Sequence, residues 1–130
     1  MKNIFFSTSK YLFYFSFIFL LILYLFPGSL IGYLLYGNFG KQPDFISNPI
    51  GPSINHLIFF FYLSILGFIF RNNQRKFINS FSFLFLISII LELLHYFIPN
   101  RAFELNDLYA NSLGVLLAYF IFKLFSKTRN

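Results

Sequence analysis

Four long apolar runs govern what this chain can fold into. They cover Ile4–Phe26, Ile54–Phe70, Phe77–Ile98 and Leu108–Phe125. In hydrocarbon every backbone N–H and C=O must be satisfied within the protein, which restricts spanning structures to helices and closed barrels. Runs of about 20 apolar residues suit helices crossing about 30 Å of hydrocarbon. Composition agrees, because only 11% of residues are charged against about 25% in a soluble domain. The expected fold is therefore all-α, a bundle of four transmembrane helices forming one membrane domain over residues 1–130.

The connections refine that picture. Residues 27–53 make the one long loop, and Pro27, Pro43, Pro49 and Pro52 with five glycines break any continuous helix there. Within it, Ser29–Tyr36 is apolar but too short to span. It is expected to lie at the interface or to re-enter, in the first outer loop. The first run is long for a cleaved signal peptide and no Ala-x-Ala site follows it, so a retained helix is expected. There is no cysteine, which removes disulfides, thiolate metal sites and cysteine nucleophiles.

The net charge of +6 has an orienting role rather than a nucleic-acid one. Lys and Arg cluster at the ends of the apolar runs: two near the N-terminus, three in the 71–76 hinge and three at the C-terminal end (Lys123, Lys127 and Arg129). The 27–53 loop carries Lys41 alone and the 99–107 turn carries Arg101 alone. Under the positive-inside rule both termini and the hinge are cytoplasmic. Asp44, Glu104 and Asp107 then lie on the outer side.

That topology gathers the remaining polar groups in one leaflet. His56 opens the second run, Glu92 and His95 close the third, Arg101 sits in the turn, and Asp107 and Asn111 open the fourth. Ionisable side chains inside a bilayer are costly and mark functional sites by default. Glu92 and His95 share a helix face, with Ser88 one turn earlier, and Asp107 and Asn111 share another. Ala110, Gly114 and Ala118 form a small-residue stripe that permits close helix packing, with the third run as the expected neighbour. Each polar residue also has a structural reading. Asp107 and His56 would serve at helix starts, Glu92 would bridge to Arg101 or His95, His95 would sit alone at the interface, Asn111 would join helices, and Arg101 would be a solvated loop charge. Their convergence favours a site.

The same residues carry a family resemblance. Glu92, Pro99, Arg101, Asp107, Asn111 and Gly114 fall in the pattern E-x6-P-x-R-x5-D-x3-N-x2-G. In this the last third of the chain resembles the VanZ-like family of small bacterial membrane proteins. Many small members carry D-K-x-x-H before the second helix; here Pro52 and Ser53 replace the Asp-Lys pair and only His56 remains. The resemblance implies a multi-pass protein of the bacterial inner membrane and cell envelope. The family's name comes from a protein linked to teicoplanin resistance, a property that membership alone does not transfer.

Three functions fit these residues. The first is binding of an anionic membrane lipid or lipid-linked envelope intermediate by His56, Glu92, His95, Arg101, Asp107 and Asn111, with Arg101 taking a phosphate or carboxylate. The second is an intramembrane enzyme with Glu92, His95 or Asp107 as catalytic candidates. The third is a structural or accessory subunit. A metal variant would use His56, His95, Glu92 and Asp107. These come from separate helices without metal-type histidine spacing, so neither metal nor cofactor is expected. Ligand, catalysis and oligomeric state are not legible in the residues.

Overall fold

The computed structural model describes residues 1–43, 45–46 and 48–128; Arg129, counted above in the Lys/Arg bias, and Asp44, expected above on the outer side, lie outside them. The described residues are helical, without strands. In chain order the helices are α1 (Lys2–Leu25), α2 (Leu30–Tyr36), α3 (Ser53–Arg71), α4 (Phe81–Leu94) and α5 (Leu105–Lys127).

Three of them, α1, α3 and α5, are long and apolar enough to cross a membrane. The sequence leads one to expect four. α4 is apolar but has 14 residues, about 21 Å at 1.5 Å per residue. Local hydrogen bonding explains both of its ends. Before it, the fully buried Asn79 side chain accepts from the Lys76 N–H at 3.0 Å and donates to the Gln74 carbonyl at 2.9 Å, holding the hinge as a folded turn. Ser80 then caps α4, its hydroxyl accepting from the Phe83 N–H at 3.2 Å. After Leu94 the bonding tightens, with His95, Tyr96 and Phe97 each donating to the carbonyl three residues back. Pro99 follows. The run Phe77–Ile98 is thus a 14-residue α-helix flanked by tight turns.

The short apolar segment of the long loop is α2. Ser29 caps it, accepting from Gly32 N–H at 2.9 Å, and Gly37 ends it in the left-handed region with φ 66°. α5 begins at Leu105, three residues before the apolar run, so Asp107 lies inside its first turn.

α3 is the central helix, packing against both α1 and α5. Phe13, Leu20, Phe60, Leu63, Phe70, Leu84, Leu91 and Val115 form the buried core. Many large apolar side chains on α1, α2 and α5 face outward, among them Phe15 and Leu34. For a bundle whose solvent is lipid such a surface is ordinary, whereas in water it would be a large exposed patch.

The small-residue stripe packs closely, against a different helix from the one expected. A Cβ built on Gly114 would lie 2.5 Å from the Leu57 carbonyl oxygen and 3.0 Å from the Phe61 nitrogen, both backbone atoms of α3. The short turn keeps α5 beside α4. That seam, however, is taken by Asn111, and the Ala110–Gly114–Ala118 face is rotated onto α3.

Gly114→Ala therefore forces two helix backbones apart. We expect a loss of about 1–3 kcal/mol, typical of overpacking, read as a lower melting temperature of the detergent-solubilised protein. The exposed Leu113→Ala is the control, and equal melting of both variants would count against this packing.

Candidate functional site

The polar residues near the C-terminal ends of α1 and α4 and the N-terminal ends of α3 and α5 form one connected network. Its junction is Tyr24, in the last turn of α1, buried to 7% exposure. The Tyr24 hydroxyl donates to Asn111 Oδ1 of α5 at 2.7 Å and lies 2.6 Å from Nδ1 of His56 on α3. Asn111 Nδ2 faces the Ser88 carbonyl at 3.2 Å and Glu92 Oε2 at 3.5 Å, both on α4. Both are acceptors, so Nδ2 is the donor there and Oδ1 is what Tyr24 meets. With its proton given to Asn111, the Tyr24 hydroxyl accepts from His56 Nδ1–H.

Glu92 is fully buried. Its Oε1 lies 3.1 Å from His95 Nδ1 and accepts from the Glu104 N–H at 3.2 Å. That second bond ties α4 to the residue preceding α5. His95, just past the end of α4, also reaches the Tyr24 carbonyl through Nε2 at 3.2 Å. Its ring stacks on Tyr24 with centroids 5.3 Å apart.

Asp107 and His56 complete the group. Asp107 Oδ1 accepts from the Ser53 hydroxyl at 2.5 Å, and Oδ2 lies 3.6 Å from His56 Nε2. Asp107 does not cap α5: Glu104 occupies the N-cap position, and the buried Asp107 points across to α3. Ser53 stands where the resemblance expects a lysine.

Arg101 stands apart from the carboxylates. The bridge to Glu92 that the sequence allowed is absent among the described residues. Instead Nε donates to the Phe26 carbonyl at 3.2 Å and Nη2 donates to the Leu23 carbonyl. Arg101 thus covers carbonyls left open at the C-terminus of α1, where a cation also complements the helix dipole. It is not a free loop charge. Partial burial pushes its guanidinium down from the ordinary arginine value, while Tyr24, Glu92 and Asp107 pull it up. Three of its five N–H donors remain uncommitted.

A cavity of about 420 Å³ opens between α1, α2, α3 and the long loop. Leu20, Leu23, Ile31, Ile58 and Phe59 make its walls apolar, and Gln42, Asn55, His56 and Arg101 supply polar groups. Asn55 also donates to the Pro43 carbonyl at 2.9 Å, which fixes the loop over the opening. Glu92, His95, Asp107 and Asn111 do not line this cavity; Tyr24 and His56 stand between it and them.

All six expected ligand residues therefore lie in one region, divided into a buried acidic network and an Arg101-lined cavity. Ala110 and Ala118, like Gly114, are buried packing residues. Tyr24 and Ser53 were not singled out by sequence. Tyr24 is one of nine tyrosines in a chain with 23 phenylalanines, so nothing local marks it. His56, Glu92 and Asp107 each place one donor atom within 4.8 Å of the others, a set able to hold a metal ion.

The chain's sequence matches the VanZ/LLP1 family model over residues 4–126, nearly its whole length. The chain belongs to the VanZ/LLP1 family. The membership extends the likeness of the last third to all five helices and supports a membrane-type protein. No curated protein and no solved structure matches this VanZ/LLP1 chain.

Replacing Tyr24 with Phe removes the hydroxyl shared by α1, α3 and α5 and leaves His56 Nδ1 and Asn111 Oδ1 without that partner. A buried unsatisfied polar group costs about 1–3 kcal/mol. We expect Tyr24→Phe to lower unfolding stability by that order, and the half-exposed Tyr33→Phe by under about 0.5 kcal/mol. Denaturant or thermal unfolding in detergent measures both.

Proposed function

We propose that this protein binds the anionic headgroup of a lipid, or of a lipid-linked cell-envelope intermediate, in the outer leaflet of the bacterial inner membrane. The observation that carries this reading is the cavity of about 420 Å³ with apolar walls and Arg101 at its polar side. Its size falls within the roughly 300–1,000 Å³ of small-molecule sites. Apolar walls accept acyl or isoprenoid chain, and the uncommitted donors of Arg101 face a phosphate or carboxylate. Ser29, Gln42 and Asn55 add neutral polar contacts at the same cavity.

Binding is favoured over catalysis by where the acidic groups lie. Glu92 and His95 are sealed from the cavity behind Tyr24, so a substrate held there would not reach them. Glu92→Gln keeps shape and most hydrogen bonding. On the binding reading it changes stability more than lipid retention.

In this reading α4 also crosses the bilayer, helped by the tight turns at both ends, which gives four crossings with both termini cytoplasmic. The Lys/Arg distribution supports that orientation. Periplasmic and cytoplasmic reporter fusions at residues 40, 73, 103 and 130 check it. Active periplasmic reporters are expected at 40 and 103 only, and one at 73 would remove the four-crossing arrangement.

The binding test uses Arg101. Because Arg101 also holds the end of α1, Arg101→Ala is expected to cost stability as well as binding. Arg101→Lys keeps the charge but replaces a planar fork by a point charge. Mass spectrometry of lipids retained by purified protein should show the anionic species reduced several-fold in Arg101→Lys, with neutral lipids unchanged. Equal retention by both proteins would defeat the proposal.

A further inference from the structure

We propose that His56, Glu92 and Asp107 form a buried site for one divalent first-row metal ion of the zinc type. The three residues come from three helices, α3, α4 and α5. One donor atom from each lies within 4.8 Å of the other two, so some point lies within about 2.8 Å of all three. Finished zinc sites have Zn–N and Zn–O distances of about 2.0–2.2 Å. A contraction of under about 1 Å per ligand completes the set.

The hydrogen bonds leave one donor atom of each of the three residues free for a metal. His56 Nδ1–H is given to the Tyr24 hydroxyl, which in turn is fixed by Asn111. In the neutral imidazole, Nε2 then carries the lone pair. It faces Asp107 Oδ2 at 3.6 Å, beyond the usual hydrogen-bond range of about 2.7–3.2 Å. Two acceptors facing across such a gap call for a positive charge between them. The opposite oxygen of Asp107 is held by Ser53 at 2.5 Å, and Oε1 of Glu92 by His95 and the Glu104 N–H. Each prospective ligand thus has one atom anchored and one left over; Glu92 Oε2 has only the long 3.5 Å contact with Asn111. Metal-bound histidines and carboxylates are held in this way by outer partners that fix their orientation.

The donor set selects the metal class. One imidazole nitrogen with carboxylate oxygens suits zinc and its first-row neighbours, whereas magnesium and calcium favour all-oxygen sites. His56 also lines the cavity, so its imidazole is the point at which an ion would enter the buried site. Among the described residues, no Lys or Arg pairs with Glu92 or Asp107; the side chains of opposite type that face them are the imidazoles of His95 and His56. The sequence reading expected no metal because ligands on separate helices leave no spacing motif, and only the fold brings them together.

The test uses the full chain in detergent with any histidine tag removed. After chelation and dialysis, zinc is added back and counted by elemental analysis. The expected result is one zinc per chain, undisturbed by millimolar magnesium. Asp107→Asn and His56→Ala should each weaken zinc binding more than tenfold, and Tyr24→Phe by about 10–100-fold, as for loss of an outer partner. Should a variant not fold, X-ray absorption on the unaltered zinc-loaded protein decides: one imidazole and otherwise oxygen neighbours are expected. Absence of stoichiometric zinc from folded protein, binding unchanged in folded variants, or a shell with several imidazoles would each overturn the site. A proton on His56 Nε2 bridging to Asp107 is the state that remains in the first case. Lipid retention is measured separately, so the outcome for zinc does not decide the binding role of Arg101.

Discussion

The hydroxyl of Tyr24 stands where helices from all parts of the chain meet. It accepts a hydrogen bond from His56 on α3 and donates one to Asn111 on α5, and Asn111 in turn reaches the Ser88 carbonyl and Glu92 on α4. The backbone carbonyl of the same tyrosine faces His95. In a bilayer the hydrophobic effect does not drive helix against helix, so packing and interhelical hydrogen bonds carry association. The apolar core built around Phe13, Phe60 and Leu84 is largely interchangeable with lipid contact. The Tyr24 network is what fixes which helix lies beside which, and the cavity wall depends on it because Tyr24 and His56 belong to both.

The site divides two kinds of charge. Glu92 and Asp107 are buried among hydrogen-bond donors, on the far side of Tyr24 from the cavity. Arg101 lies on the cavity side, anchored to the Phe26 and Leu23 carbonyls at the end of α1. On the proposed binding role, an anion in the cavity would meet the cation first, with the Tyr24 ring between it and the carboxylates. The two polar systems can therefore serve different partners without competing for the same atoms.

Much of this was legible in the residues, for identifiable reasons. Length and apolarity marked α1, α3 and α5, since a spanning helix has to be both. The short apolar segment Ser29–Tyr36, set off by the prolines and glycines around it, is α2 with its Ser29 cap. The convergence of His56, Glu92, His95, Asp107 and Asn111 was readable from their places at the ends of the apolar runs and from the short turn joining the last two. What was not legible depended on rotation and on tertiary bonds. The ends of α4 are set by the Asn79 turn and by the i−3 bonding of His95 to Phe97, neither of which interrupts the apolar run. The partner of Gly114 depends on which face Asn111 claims. Asp107 looks like a helix cap until the true start at Leu105 turns it inward, and Tyr24 is indistinguishable in sequence from its neighbours.

The shortness of α4 has a bearing on the lipid around it. A helix of 14 residues, about 21 Å long, is well below the roughly 30 Å of average hydrocarbon thickness. Mismatch of this kind is met by local thinning of the bilayer or by drawing headgroups inward. In the proposed four-crossing arrangement the membrane surface beside α4 would dip, bringing headgroups closer to the depth at which Glu92 and His95 close the helix. The protein would then shape the membrane around that helix, and annular lipids with short or disordered chains would gather there in preference to long, ordered ones.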